Sequence, residues 1–326
     1  MALNSSRRSF LQQTGLLAAG LLLPRSIFAY APDKALPKKI GLQLYTLRDL
    51  LAKDARGTLA KVGAIGFREA ETFYGYQGAQ DKGLFWGLTP KELKKVLTDN
   101  QLRTPSGHYQ LNEYLTPGNG KDDALKVQAE LAAVLGQQYL IVPILPLGLW
   151  EKELTADDYK HIGHQLNKAG EYCKQFNLKV GYHNHHWEFK QLGGGSTGYE
   201  VMLKETDPSL VGFELDLFWA VKSGFDPIKL FREAPGRFMA WHVKDMDKNN
   251  TASLFATDTK GKNSQQLLGG VTFAEVGTGS IDFRKIFAQA KLAGVKHLYV
   301  EQDRITIDPI ESVTKSFTYV KNSLLK

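Results

Sequence analysis

Lys179-Val180-Gly181-Tyr182-His183-Asn184-His185-His186-Trp187-Glu188-Phe189 places three of the chain's eight histidines within four residues. Its first half has the character of a β-strand, in which alternate side chains share a face. His183 and His185 then point one way, Tyr182 and Asn184 the other. Imidazole is the commonest protein metal ligand and titrates near neutrality. A strand that delivers two of them at its C-terminal end predicts the floor of a metal site; a hydrogen-bonded histidine cluster in a loop is the alternative.

Working outward, seven more stretches read as strands: Lys39–Tyr45, Gly66–Phe73, Leu102–His108, Gln138–Pro143, Val211–Asp216, Phe238–Asp245 and His297–Glu301. Helical segments separate them. One runs from about Asp54 to Val62, and another opens on Thr89-Pro90-Lys91-Glu92, with Thr as N-cap and Pro at the first helical position. A third runs from about Asp122 to Leu135 and stops at Gly136. A fourth, from Thr155 to Asn177, carries Ile162, Leu166, Ala169, Gly170 and Cys173 on one stripe. His161 and His164 lie on that helix without an acidic partner in sequence and read as a solvated face. Asp282-Phe283 opens the last crossover helix, and a helix from about Ile310 closes the chain. Eight strands, each followed by a helical segment and none by a repeated nucleotide fingerprint, predict an α/β fold: a closed parallel (β/α)8 barrel in one domain. An open doubly wound sheet is the alternative.

In such a barrel the working residues lie at the C-terminal ends of the strands. Here those ends are polar: Glu69 and Glu71, His108, His183 and His185, Glu214 and Asp216, His242 and Lys244, and Glu301 followed by Asp303. Packing alone predicts aliphatic residues there, and burying so many charges without a cation is costly. His183, Asp216, His242 and Glu301 make a mixed nitrogen and oxygen set suited to a divalent metal such as Mn, Zn, Co, Fe or Mg.

These motifs carry a resemblance. Gly66…Glu71, Ser106-Gly107-His108, Tyr182-His183-Asn184-His185, Glu214-Leu215-Asp216-Leu217-Phe218-Trp219, Trp241-His242-Val243-Lys244-Asp245, Val276-Gly277-Thr278-Gly279-Ser280-Ile281-Asp282 and Val300-Glu301 resemble the sugar phosphate isomerase/epimerase family, the xylose isomerase-like TIM barrels that also include AP endonucleases. The likeness covers 39–326. It implies a metal set of strand-five Glu, strand-six Asp, strand-seven His and strand-eight Glu. By position these fall on His183, Asp216, His242 and Glu301, so the strand-five carboxylate is replaced here by His183. Family epimerases set two glutamates on opposite faces of an enediolate, and only Glu301 remains in that role. The resemblance therefore implies proton abstraction beside a carbonyl polarised by the metal, on a keto sugar or 3-keto glycoside, with isomerase or epimerase chemistry expected. Elimination or hydration by a single carboxylate base gains weight from the substitution. Glu301, His183, His108 and Lys244 are the expected catalytic residues. Glu71, His108, His185, Trp219 and Lys244 are expected against substrate: hydroxyl contacts from the histidines, a stacking platform from Trp219, an oxyanion or phosphate contact from Lys244. The Gly277 and Gly279 turn either approaches the ligand or only shapes its loop.

The N-terminus reads differently. Ser6-Arg7-Arg8-Ser9-Phe10-Leu11-Gln12 resembles a twin-arginine export signature, and the apolar run Leu16–Leu23 after it falls short of the ~20 residues that span a bilayer. With Ala29-Tyr30-Ala31 as cleavage site, residues 1–31 are expected to be a signal and 32–326 a periplasmic barrel. Removing Arg7, Arg8 and Arg25 lowers the net charge from +7 to +4, too mild a surplus to indicate nucleic-acid binding. A nuclease of the same superfamily, which needs a denser metal cluster and a basic face, is thereby disfavoured. A sugar-binding protein that has lost catalysis through the His183 change is the third possibility. One cysteine, Cys173, excludes an intrachain disulfide. A small-molecule sugar is the expected partner, in a monomer or homo-oligomer, with no membrane contact beyond export.

Overall fold

Thr89, Thr155 and Thr197 each close a capping box: the threonine hydroxyl accepts the third helical N–H, and the acidic side chain at that position accepts the threonine N–H. The helices they start, Pro90–Asp99, Ala156–Cys173 and Gly198–Glu205, belong to the outer layer of a barrel. The computed structural model describes residues 36–74, 83–150, 152–256 and 264–326; the expected export segment at 1–31 lies outside them. The strands are β1 (Gly41–Gln43), β2 (Glu69–Tyr74), β3 (Ser106–Tyr109), β4 (Tyr139–Val142), β5 (Lys179–His183), β6 (Val211–Asp216) and β7 (Phe238–Val243). A short antiparallel pair follows, β8 (Asp245–Met246) with β9 (Phe273–Ala274), and then β10 (His297–Val300). Strands β1 to β7 and β10 pair in parallel and close with β10 against β1. The fold is the single-domain (β/α)8 barrel, and the open sheet is excluded. Among the described residues no helix is long and apolar enough to cross a membrane.

Several strands are shorter than their sequence stretches. After Gln43 the chain tightens into a 3-10 turn, Leu44–Leu47, because the Gln43 side chain accepts the Tyr45 N–H. The helix Ala55–Ile65 runs past Val62 to Gly66, which caps it at φ 119°. Strand β2 therefore begins only at Glu69. That shift corrects one expectation. Glu69 opens its strand and bonds Arg103 and His297, the first residue of β10, so it lies at the N-terminal end of the barrel, away from the working rim.

The β6–β7 pairing carries a bulge. Phe213 lies opposite Phe238, but Glu214 lies opposite Ala240, so Met239 is an extra residue in β7. Beyond it Asp216 comes opposite His242; without it Asp216 would face Trp241. Met239 and Ala240 cluster with Tyr139, Ile141 and Tyr299 and fill the lower barrel. The space exists because Gly181 has no side chain: a Cβ there would fall 2.4 Å from Ile141 Cδ1 and 2.6 Å from Met239 Cε.

Asp245, just past β7, is buried and accepts backbone N–H groups from Gly277 (2.9 Å), Gly279 (2.9 Å) and Ile281 (3.1 Å). The two glycines thus shape a loop around a carboxylate. A Cβ on Gly279 would lie 2.3 Å from Asp245 Oδ1. Asp245→Ala orphans these donors and is expected to cost about 3 kcal/mol in urea unfolding, whereas Asp245→Asn, which keeps one acceptor oxygen, is expected to cost about half as much.

Candidate active site

The rim of β5, β6, β7 and β10 assembles two layers of ionisable side chains. The upper layer holds Asp216, Glu301, Lys244 and Asp303. Lys244 Nζ lies 2.7 Å from Glu301 Oε2 and 2.9 Å from Asp303 Oδ2. It is also 3.0 Å from Asp216 Oδ2, as an ion pair without hydrogen-bond alignment. The lower layer centres on Glu214, whose Oε2 meets three imidazoles: His108 Nε2 at 2.8 Å, His242 Nε2 at 3.1 Å and His183 Nδ1 at 3.3 Å. Glu71 completes it. Its Oε2 is 2.7 Å from His242 Nε2 and accepts Gln43 Nε2 at 2.8 Å, while its Oε1 accepts the Ser106 hydroxyl.

Strand alternation explains the layering. Glu214 and Asp216 share one face two residues apart, as do His242 and Lys244. Asn184 extends the β5–β6 join past the ladder: its side chain accepts the Asp216 N–H at 3.1 Å and donates to the Asp216 carbonyl. Asp216 Oδ1 in turn accepts the Trp219 N–H at 2.9 Å, capping the helix Leu217–Lys222. The carboxylate is thereby fixed by the backbone on both sides.

Burial sets the protonation states. His183 is held well below the usual imidazole range by burial and by the nearby His242 and His108, so it is neutral. His185 is lowered too, by burial, His183 and Lys244. Burial also pushes His108 and His242 down, but carboxylates outweigh it. Glu71 and Glu214 raise His108 to about 9, and Glu214 and Glu301 raise His242 well above its ordinary value. Burial raises Asp216 to about 6 against the pull of Lys244. For Glu301, Lys244 and His242 overcome burial and hold the carboxyl well below the usual range.

A divalent metal fits this arrangement. Ligand atoms of His183, Asp216, His242 and Glu301 all lie within 4.8 Å of one another. Bonds of about 2.1 Å would separate ligands by about 3–4 Å. His183 Nε2 and His242 Nδ1 lie 3.9 and 4.0 Å from Asp216 Oδ2, within that range, whereas His242 Nδ1 at 2.7 Å from Glu301 Oε2 is a hydrogen bond that a metal would replace. The opposite nitrogens of both rings face Glu214, the carboxylate-to-imidazole support that orients metal ligands. Charge agrees. Glu71, Glu214, Asp216, Glu301 and Asp303 bring five carboxylates against Lys244, the Arg48 guanidinium near Asp303 and a protonated His108; with His242 neutral, as a metal ligand must be, two negative charges stay uncompensated. A dication would supply the difference. His108, His183, Glu214 and His242 form a second close group, but its contacts are the hydrogen bonds that aim the rings.

The four expected metal ligands are thus brought together. Glu71 and His108 differ from expectation: both are buried in the lower layer and committed to other side chains, so they support the site from below. Lys244 is taken up by three carboxylates and not by an open anion pocket. Trp219 is 3% exposed, with its ring 5.6 Å from Lys244 Nζ; His185 stands at the rim, 5.1 Å from His183 between ring centres. On the outer helix, His164 does have an acidic neighbour, Glu205 at 3.3 Å, contributed by another helix. Sequence reasoning missed Glu214 as the hub, although its position two residues before Asp216 was the available signal. It also missed Glu188, which accepts the Tyr182 hydroxyl at 2.6 Å and the His185 N–H at 2.9 Å behind the rim.

Two measurements check this description. Glu214→Gln should weaken dication binding by about 10–100-fold, by titration calorimetry, while preserving the fold. Glu188 is raised by burial from 4.5 to about 7. The folded state therefore holds a proton that the unfolded state has lost. Stability from this group is full below pH 4.5 and falls as pH rises through about 7. Thermal melts should show that decline in the native protein, up to about 3 kcal/mol, and Glu188→Gln should flatten it.

Comparison with known proteins bears on the family and the fold. The model of the xylose isomerase-like TIM barrel family matches residues 59–321. The inosose dehydratase of Clostridium tetani is 27% identical over 209 residues, 62% of this chain and 67% of that protein. That of Lactiplantibacillus plantarum is 25% identical over 269 residues, 77% of this chain and 86% of its own. Inosose dehydratases of other clostridia are matched over about half their length. Among solved structures, a sugar phosphate isomerase/epimerase from Parabacteroides distasonis superposes with a TM-score of 0.71 at 28% identity, over 91% of this chain and 99% of that one. With its closed parallel strand order and a family match across most of its length, this chain belongs to the xylose isomerase-like TIM barrels.

Proposed function

We propose that the protein is a metal-dependent lyase that eliminates a β-oxygen substituent from a keto sugar or 3-keto glycoside. That it is an enzyme acting on sugars agrees with its inosose dehydratase and isomerase/epimerase relatives. The observation that carries the finer reading is the asymmetry of the rim: one carboxylate base, Glu301, with Lys244 Nζ at 2.7 Å, and a neutral His183 where an epimerase needs a second carboxylate.

A dication bound by His183, Asp216, His242 and Glu301 would act as a Lewis acid toward the keto oxygen. Glu301 is kept ionised by Lys244 and His242 and takes the proton from the carbon next to the carbonyl. The C–H electron pair becomes a carbon–carbon double bond as the β C–O bond breaks. The departing oxygen takes a proton from the Lys244 ammonium, held beside Glu301 on the same side, so the geometry favours syn elimination. His242 is kept in one orientation by Glu71 and Glu214. His108 and Glu71 are buried below and are not placed to return a proton from the other face, which weighs against epimerisation. The twin-arginine-like segment adds the periplasm as the proposed site of action.

The test is incubation of the metal-loaded protein with a methyl 3-keto-glucoside in deuterium oxide. Methanol release with growth of an enone absorption band is expected, and Glu301→Gln should lower it by about 10³-fold or more. Recovery of ketose inverted and deuterated at the α-carbon, without methanol, would favour an epimerase instead. His183→Glu, which restores a second carboxylate, is expected to raise α-deuteration relative to methanol release.

A further inference from the structure

Leading away from Lys244 is a run of rings that the reaction does not use. Trp219 is followed by His185 at 5.6 Å between ring centres, then Trp187 at 5.3 Å and Trp150 at 4.8 Å, the last pair inclined by only 31°. Trp150 is held in place by its Nε1–H, which donates to the Leu145 carbonyl at 2.9 Å. His185, Trp187 and Trp150 are partly exposed. One six-membered sugar ring covers about one such arene, so the run continues beyond what a monosaccharide at Glu301 would reach.

The same rings carry unsatisfied polar atoms. Trp219 Nε1, His185 Nδ1 and both ring nitrogens of His186 are buried without a hydrogen-bond partner among the described residues, and His186 lies 4.2 Å from Trp187 and 5.6 Å from Trp219 between centres. His186 and Trp219 are 1% and 3% exposed. Unpaired buried polar atoms are costly. Apolar faces combined with unpaired nitrogens call for a ligand with both C–H faces and hydroxyls. A pyranose has both, whereas a flat hydrocarbon aglycone would leave the nitrogens unpaired.

We infer that the run from Trp219 to Trp150 is a second sugar-ring subsite, so that the substrate is a keto disaccharide or larger keto glycoside whose leaving group is itself a sugar. Resting on the elimination proposed above, the inference identifies the group that departs. The C–O bond that breaks would be the glycosidic one, and its oxygen would leave, protonated, on the second ring.

Binding at saturating manganese tests this, with Glu301→Gln used to prevent turnover and its metal content confirmed by elemental analysis before the titrations. The probes are methyl 3-keto-β-glucoside, cellobiose oxidised at C3 of its non-reducing ring, and the 3-keto form of nitrophenyl β-glucoside. The disaccharide is expected to bind about tenfold more tightly than the methyl glycoside. Adding Trp187→Ala should erase that gain and leave methyl glycoside affinity within about twofold, while Trp187→Tyr should restore most of it. Equal affinity for methyl glycoside and disaccharide would overturn the subsite, as would equal losses for both in Trp187→Ala. A gain confined to the nitrophenyl glycoside would overturn the second sugar in favour of an apolar aglycone. If none of the three binds, the elimination reading itself fails, and the subsite with it.

Discussion

The site depends on an excess of buried negative charge that the protein only partly neutralises. Lys244 sits among Asp216, Glu301 and Asp303, and beneath it Glu214 and Glu71 share three imidazoles. A lysine alone does not balance five carboxylates in a low-dielectric interior. A protonated His108 and the Arg48 guanidinium near Asp303 reduce the deficit without closing it. Metal affinity, the ionised state of Glu301 and the charged state of Lys244 are therefore linked consequences of one arrangement. Removing any of these carboxylates would alter the others.

The two layers divide the labour. The upper layer carries the candidate base and acid, and the lower layer fixes which ring nitrogen of His183 and His242 points upward. Glu214 does this for both rings at once, so their aim depends on a side chain that need not touch the substrate. On the reading proposed above, His183 in place of a strand-five carboxylate would keep a donor to metal while removing a base, which is why that reading has one proton abstracted and one leaving group expelled.

Much of this was legible from strand-end residues. The barrel follows from eight short runs separated by capped helices, and the closeness of His183, Asp216, His242 and Glu301 follows from their strand-end positions. What escaped was depth. Glu71, His108 and Glu214 are ionisable strand residues like Asp216, and nothing in their types distinguishes a residue lying under the site from one at its surface. Glu69 was misplaced because Gly66 ends a helix and delays β2 by three residues, which moves Glu69 to the barrel's other end. Partners distant in sequence, such as Gln43 for Glu71 or Glu205 for His164, have no local signature at all.

The bulge at Met239 bears on how this chain is to be compared with others. Since His242 and Lys244 face inward only because β7 holds one residue more than its neighbour, the strand has a phase, and that phase is set three residues before the first ligand. A homologue lacking the additional residue would have to be aligned with a gap inside the strand, where gaps are ordinarily penalised most. Ungapped alignment across 238–240 would match its inward histidine to Trp241, and a functional metal centre would be scored as lost.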